Sequence, residues 1–163
     1  MWNSNDHGLW QKALNRYWTF LEPSKLALEK EMDQLGAETV RRMNPQEWYT
    51  FLLEKYFRWK YTAPNRYATT TNALRNYETN NELPLLHAIK EQLFALDKDD
   101  IQKCLAVASS IRGLGIARAS GLLAVLFPAH FGTVDQFVVN ALTKIPELPE
   151  KDLIAPMKPP SLK

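Results

Sequence analysis

Apolar side chains recur three and four positions apart along most of this chain, the spacing that places them on one face of an α-helix. The first clear example covers residues 9–21, and later ones cover residues 48–59, 85–96 and 101–108. No stretch alternates for long with the period of two that a half-buried strand requires, and no Asn-Gly hairpin dipeptide separates two apolar runs. The sequence therefore predicts an all-α fold of about seven to nine helices without a substantial sheet.

Several residues predict where these helices begin and end. Asp6 is a candidate N-cap of the first helix, and Pro23 is expected to end that helix. Gly36 is expected to end the second helix, because glycine tolerates positive φ. The segment 44–47, Asn-Pro-Gln-Glu, combines a cap, a proline at the first helical position and a glutamate at the third, which makes it the strongest helix start. Asp99 is a candidate cap for a later helix.

Length and composition limit the class of protein. The 163 residues, 45% of them hydrophobic, suffice for one all-α domain over residues 1–145, and an extended tail at 146–163 holds five of the ten prolines. No run of 18 uncharged apolar residues occurs, and the first residues lack the basic-then-apolar order of a secretion signal. We therefore expect a cytoplasmic or nucleoid-associated protein with no membrane partner.

Cysteine and histidine usage limits the cofactors. Cys104 is the only cysteine, which excludes an internal disulfide, a four-thiolate zinc site and an all-cysteine iron–sulfur cluster within one chain. Its helical neighbours are apolar, so Cys104 is predicted to be a small buried hydrophobic residue. The three histidines are too scattered to indicate a metal triad. No metal or other cofactor is expected, apart from a monovalent cation at the hairpin described below, which is left open.

Basic residues cluster in two segments, although the formal net charge is only +2. Residues 55–77 hold five bases, no acid and six aromatic rings, and residues 101–134 hold three bases and no acid. Bases interleaved with rings are typical of nucleic-acid surfaces, but rings at helical spacing are equally typical of a core. The bases are Lys55, Arg58, Lys60, Arg66 and Arg75 in the first segment and Lys103, Arg112 and Arg118 in the second.

The segment 109–123 lies between two helical patterns and has the sequence of a helix-hairpin-helix. Gly113 and Gly115 flank one apolar residue, which permits a tight turn with outward N–H groups while Leu114 packs between the helices. Such a turn directs main-chain donors and a helix N-terminus at a phosphate, and two arginines add charge beside it. The sequence predicts DNA binding by a motif over about residues 99–127. The alternative is an ordinary glycine-containing connection that binds nothing.

Beyond the hairpin come a helical pattern, a loop and the pair Val134-Asp135, with Asp135 placed 20 residues after Gly115 (135 minus 115). The stretch from about 111 to 142, roughly a fifth of the chain, is similar to the core of the endonuclease III-like helix-hairpin-helix DNA glycosylases. In that family a Val-Asp pair at this spacing carries the catalytic aspartate. The resemblance implies that Asp135 is catalytic, that it leads a helix over about 135–144, and that double-stranded DNA is the partner.

The resemblance also implies a reaction, hydrolysis of the N-glycosidic bond of a flipped damaged or modified base, as in base excision DNA repair. The charge of Asp135 would stabilise the oxocarbenium character of the breaking bond. Asp135 is equally suited to be a plain N-cap of the helix that follows. Two other functions therefore stay open: a catalytically inert DNA-binding protein, with or without a protein partner, and an all-α scaffold.

The chain departs from the family pattern at several positions. Bifunctional members attack the sugar with a lysine two residues after the second hairpin glycine, and Ala117 stands there, so lyase activity through that lysine is not expected. The usual Thr-His after the aspartate is replaced by Gln136-Phe137, and Asn140 stands where a basic residue is often found. Only 28 residues follow Asp135 (163 minus 135), which leaves the helices of the family's second lobe unaccounted for.

Other side chains complete the predicted site. Trp59 and Tyr61 are candidate rings of the base pocket, unless their helical spacing places them in the core. His130, five residues before Asp135, is a weaker candidate for lining the site. The candidate DNA-binding residues are Arg112, Gly113, Leu114, Gly115, Ala117, Arg118, Arg58, Lys60 and Arg66.

Overall fold

The fold is taken from a computed structural model that describes residues 4–61 and 64–148. Among the predicted features, the side chain of Arg66 and the tail beyond residue 148 lie outside the described residues. Every regular element in the described residues is a helix, which confirms the all-α class for this part of the chain. None of the described helices is long and apolar enough to cross a membrane.

The described residues form nine separate helices, within the predicted range. One of them contains a π-helical turn, which divides it into two α-helical parts, α4 and α5. The elements are α1 (His7–Trp18), α2 (Pro23–Asp33), α3 (Ala37–Arg41), α4 (Pro45–Phe51), the π-helical turn (Leu52–Tyr56), α5 (Phe57–Lys60), α6 (Pro64–Thr79), α7 (Leu83–Ala95), α8 (Ile101–Ser109), α9 (Ile116–Leu126) and α10 (Gln136–Leu142).

Two helix starts use the predicted capping chemistry. Asp6 caps α1 by accepting the N–H of Gly8 at 2.8 Å. Before α4, the Asn44 side chain accepts the N–H of Glu47 at 2.9 Å, and the Glu47 carboxylate accepts the N–H of Asn44 at 2.8 Å. These reciprocal bonds are the predicted capping box, and they satisfy two N–H groups that a helix start otherwise leaves without partners.

Three predicted boundaries need correction. The first helix ends at Trp18, and Pro23 is the first residue of α2 rather than the residue that ends α1. Gly36 has a φ of −81° and is the N-cap of α3, a five-residue helix that the sequence analysis did not predict. The cap of α8 is Asp100, whose side chain accepts a backbone N–H at 3.1 Å, and not Asp99. Two adjacent aspartates leave the predicted position of such a cap uncertain by one residue.

Contacts between Cα atoms divide the chain into two compact units. Among the described residues, one unit consists of residues 4–22 and 134–148, and its helices are α1 and α10. The other unit lies within residues 23–133 and contains α2 to α9, including both helices of the hairpin. The prediction of one domain over residues 1–145 stays a prediction.

The core of the unit over residues 23–133 is built around α4 and the π-helical turn. Trp48, Leu52, Tyr56 and Phe57 are fully buried there, so most of the rings at helical spacing belong to the core. A second, smaller cluster joins α7, α8 and α9. It contains Cys104, which confirms that this cysteine is a buried hydrophobic residue, and burial raises the pKa of its thiol.

Candidate nucleic-acid interface

The inner side of the turn between α8 and α9 is packed against the rest of its unit. Gly113 has a φ of +92°, a conformation that favours glycine. A Cβ atom at Gly113 would lie 2.7 Å from the backbone oxygen of Thr70 and 3.2 Å from Cε1 of Phe57. Leu114 is 4% exposed and belongs to the main core, as predicted. The turn therefore rests on α5 and α6, and only glycine fits at Gly113.

The outer side of the turn is an open helix N-terminus. Gly115 is the N-cap of α9 and has no side-chain cap, and Gly115, Ile116 and Ala117 are all exposed. No described residue accepts a hydrogen bond from the N–H groups of these three residues. The next two N–H groups, those of Arg118 and Ala119, both bond to the carbonyl of Gly115 at 2.9 Å. Three consecutive donors at the positive end of an 11-residue helix are thus available to an outside acceptor.

One of the predicted basic residues belongs to α9 and another packs against this helix. Arg118 is in the first turn of α9, and its guanidinium carbon is 4.8 Å from the centre of the Tyr61 ring. Lys60 lies against α9, because a Cβ atom built on Gly121 would be 3.1 Å from Nζ of Lys60. The fold therefore brings Lys60, which is remote in sequence, to the helix that carries the open N-terminus and Arg118.

Arg112 lies in the turn but is already held by other side chains. Its guanidinium forms an ion pair with Glu82, which directly precedes α7, and lies 4.4 Å from the centre of the Tyr77 ring. The hydrogen bond from Arg112 lowers the pKa of the Glu82 carboxyl. Sequence patterns did not predict this acidic partner. Any phosphate that Arg112 contacts would have to compete with Glu82.

Arg58 is exposed but pairs within its own helix. Its guanidinium lies 2.6 Å from the Glu54 carboxylate, one turn earlier. A hydrogen bond with Tyr67, together with the Glu54 charge, raises the pKa of Arg58. Arg58 therefore lies at the surface, and its described contacts are with Glu54 and Tyr67 rather than with the hairpin turn.

The two candidate pocket rings have partners inside the fold. The indole N–H of Trp59 donates to the Glu29 carboxylate at 2.6 Å. Tyr61 is 7% exposed, and its hydroxyl donates to the carbonyl of Gly113 at 3.0 Å. A cleft of about 280 Å³ lies elsewhere, lined by residues of α2, α3 and α4, such as Met32 and Phe51, and by neither candidate ring. In the described contacts, Trp59 thus packs against α2 and Tyr61 against the hairpin turn, and neither ring lines this cleft.

Asp135 is the N-cap of α10, in the unit that contains α1 and α10. One of its carboxylate oxygens accepts the N–H groups of Phe137 and Val138, each at 2.9 Å. The capping interpretation is therefore confirmed, and the catalytic one stays a prediction. His130 belongs to the other unit, where its Nδ1 lies 3.7 Å from the exposed Asp99 carboxylate. The described residues contain no group of three side chains suited to hold a metal ion.

The chain matches no protein-family model, no curated protein and no solved structure. What it does has to be inferred from the hairpin and the side chains around it. The most informative of these were not found from the sequence, because Glu82 and the tyrosines behind the hairpin contact it across at least 30 residues of chain. No local spacing pattern signals contacts of that range.

Proposed function

We propose that this chain binds double-stranded DNA through the turn between α8 and α9. The observation that carries the proposal is the row of exposed N–H donors at residues 115–117, for which the described residues offer no acceptor. Backbone donors at a helix N-terminus are suited to phosphate oxygens, which they bind without reading the base sequence. A DNA strand presents such oxygens at every nucleotide.

The surroundings of the turn favour a negatively charged partner. Arg118 belongs to α9 and Lys60 packs against it, and the residues at the tip, Ile116 and Ala117, carry no charge of their own. An acceptor at the tip would therefore meet the backbone first, with Arg118 in the same turn of the helix and Lys60 further along it, at Gly121. Binding of this kind is electrostatic and depends only weakly on sequence.

On the resemblance to the helix-hairpin-helix DNA glycosylases, we further propose that the chain is a monofunctional glycosylase with Asp135 as its catalytic carboxylate. The substrate would be a damaged or modified base flipped out of the duplex. The product would be an abasic site in an intact strand, because Ala117 offers no amine to attack the sugar. Borohydride is accordingly expected to trap no covalent adduct through this position.

The second candidate function is DNA binding without catalysis. The observation that favours it is the capping of α10, which accounts for the Asp135 carboxylate without any chemistry. The two candidates differ in base release alone. Incubation with a panel of duplexes that contain different lesions, followed by hot alkali to cleave abasic sites, separates them.

The DNA-binding proposal predicts a steep dependence of affinity on salt. Replacing Lys60 or Arg118 by glutamine is expected to reduce the slope of log affinity against log salt by about one, because each contacted phosphate releases roughly one counterion. Arg112→Gln is expected to reduce it by less, since DNA competes with Glu82 for that side chain. The measurement is fluorescence anisotropy of a labelled, lesion-free duplex between about 50 and 200 mM salt.

Arg75→Gln is the matched control, because Arg75 is an exposed base on α6 whose charge acts on the Tyr49 hydroxyl. Its removal is expected to leave the slope unchanged. If the slopes of the Lys60 and Arg118 variants equal that of the wild type, DNA binds to another face and the proposal is wrong.

A further inference from the structure

Two buried tyrosines hold the backbone on either side of the open donors at residues 115–117. The hydroxyl of Tyr61 donates to the carbonyl of Gly113 at 3.0 Å, before the row of donors. The hydroxyl of Tyr56 donates to the carbonyl of Arg118 at 2.5 Å, after it. The free donors therefore lie between two points that are fixed from the protein interior.

A third tyrosine holds the start of the turn. The hydroxyl of Tyr77 accepts the N–H of Arg112 at 3.2 Å and lies 3.5 Å from the carbonyl of Ser110. The ring of Tyr77 also lies under the Arg112 guanidinium. The three tyrosines come from the π-helical turn, from the end of α5 and from α6, so the hairpin is fixed by separate parts of the core.

The three side chains are buried, with exposures of 0% for Tyr56, 7% for Tyr61 and 1% for Tyr77. A buried ring gains nothing from a hydroxyl unless that hydroxyl has a partner, since an unpaired polar group in the core is costly. Burial raises the pKa of Tyr56 and Tyr61, so both hydroxyls remain protonated donors at neutral pH. The hairpin carbonyls are the partners that these hydroxyls require.

The approach of the hairpin to its support is also close. A Cβ atom at Gly121 in α9 would lie 2.9 Å from the hydroxyl oxygen of Tyr56, and Gly113 leaves no room for a Cβ against Thr70. A sliding movement of α9 over Tyr56, or of the turn over α6, would therefore meet these contacts. The hydroxyl bonds and the two glycines restrict the same movement.

We infer that Tyr56, Tyr61 and Tyr77 are positioning residues for DNA, which hold the hairpin so that the N–H groups of residues 115–117 are aligned for a phosphate before DNA binds. The inference rests on the proposed DNA-binding function. A donor row held in its binding conformation loses less entropy on binding than a mobile one. The tyrosines raise the affinity for DNA without touching it, because their hydroxyls are hydrogen-bonded to the hairpin backbone.

The test is hydroxyl removal in the full chain. Tyr61→Phe keeps the ring and is expected to weaken binding to a lesion-free duplex by about threefold to tenfold, the usual effect of one buried hydrogen bond. The slope of log affinity against log salt is expected to stay the same, because no phosphate contact is lost. Amide hydrogen exchange at Leu114 and Ala119, whose N–H groups bond within the turn, is expected to become faster. Tyr56→Phe is expected to have the same effects.

Tyr49→Phe is the matched control. Tyr49 is 3% exposed, and its hydroxyl donates to the Glu78 carboxylate at 3.1 Å rather than to the hairpin. Its removal is expected to lower thermal stability about as much as Tyr61→Phe does. Duplex affinity and hydrogen exchange in the turn are expected to remain those of the wild type.

The outcomes distinguish failure of the positioning role from failure of the proposed DNA binding. If the wild type binds the duplex, and Tyr61→Phe and Tyr56→Phe bind as tightly as Tyr49→Phe with unchanged exchange at Leu114, the inference is overturned and DNA binding stands. If the wild type binds no duplex even at low salt, the proposed function fails and the inference fails with it. A slope reduced by about one in Tyr61→Phe would mean that a phosphate contact was lost, which also overturns a positioning role.

Discussion

Replacing Asp135 by asparagine is expected to slow base release about a hundredfold or more while leaving the fold intact. Asparagine caps helices about as well as aspartate does, so its amide oxygen is expected to keep the N–H groups of Phe137 and Val138 satisfied. The negative charge is lost, and with it the stabilisation of the oxocarbenium-like transition state. The measurement is single-turnover release of the base from the lesion duplex that the wild type processes, together with thermal unfolding of both proteins.

Asp135→Ala separates the cap from the charge. This variant is expected to lose the activity and, in addition, about 1 kcal/mol of folding free energy, because the N–H groups that Asp135 accepts lose their acceptor. Equal rates of base release in the wild type and Asp135→Asn would return Asp135 to the role of a helix cap. A wild type that releases no base from any lesion duplex would leave DNA binding without catalysis as the function.

The two hairpin glycines are expected to tolerate alanine to different extents. Gly113→Ala is expected to destabilise the fold by about 3 kcal/mol or more, because it adds left-handed strain and a clash with the Thr70 backbone. Gly115→Ala is expected to cost about 1 kcal/mol or less, since a Cβ there meets nothing within 4 Å. Denaturant unfolding monitored by circular dichroism measures both values.

The effects of the two substitutions on DNA affinity are expected in the reverse order. When only folded protein is compared, Gly115→Ala is expected to weaken duplex binding more than Gly113→Ala does. The added methyl group of Gly115→Ala stands at the exposed N-cap, where a phosphate has to approach the donors, and is expected to reduce duplex affinity about tenfold. Gly115 is thus the glycine whose replacement separates binding from folding. Wild-type affinity in folded Gly115→Ala would place the phosphate elsewhere on the surface.

Local chemistry made the helix starts predictable. Asn44 and Glu47 satisfy each other's N–H groups within four residues, so their sequence alone specifies the arrangement. The Asp6 cap was predictable for the same reason. Leu114 was predictable as a buried residue, because it is the apolar residue between the two glycines of a helical hairpin. Where two adjacent residues offered the same chemistry, as at Asp99 and Asp100, the sequence could not choose between them.

The candidate site was less predictable, because each of its side chains can interact with several kinds of partner. Arg112 has the charge to contact a phosphate but meets Glu82, which lies 30 residues earlier in the chain. Trp59 and Tyr61 have rings suited to stack on a base, yet their polar atoms bond to Glu29 and to the hairpin backbone. Only the packing of distant helices decides which partner such side chains find.

The most direct test of the proposed function follows the backbone amides themselves during a titration with DNA. In isotope-labelled protein titrated with a short lesion-free duplex, the largest changes in amide resonance are expected at Gly115, Ile116 and Ala117, where the free N–H groups lie. The changes are expected to diminish as salt is raised. If the resonances of these three amides stay unchanged and the largest changes occur on another surface, such as α7, DNA binding through the hairpin is contradicted.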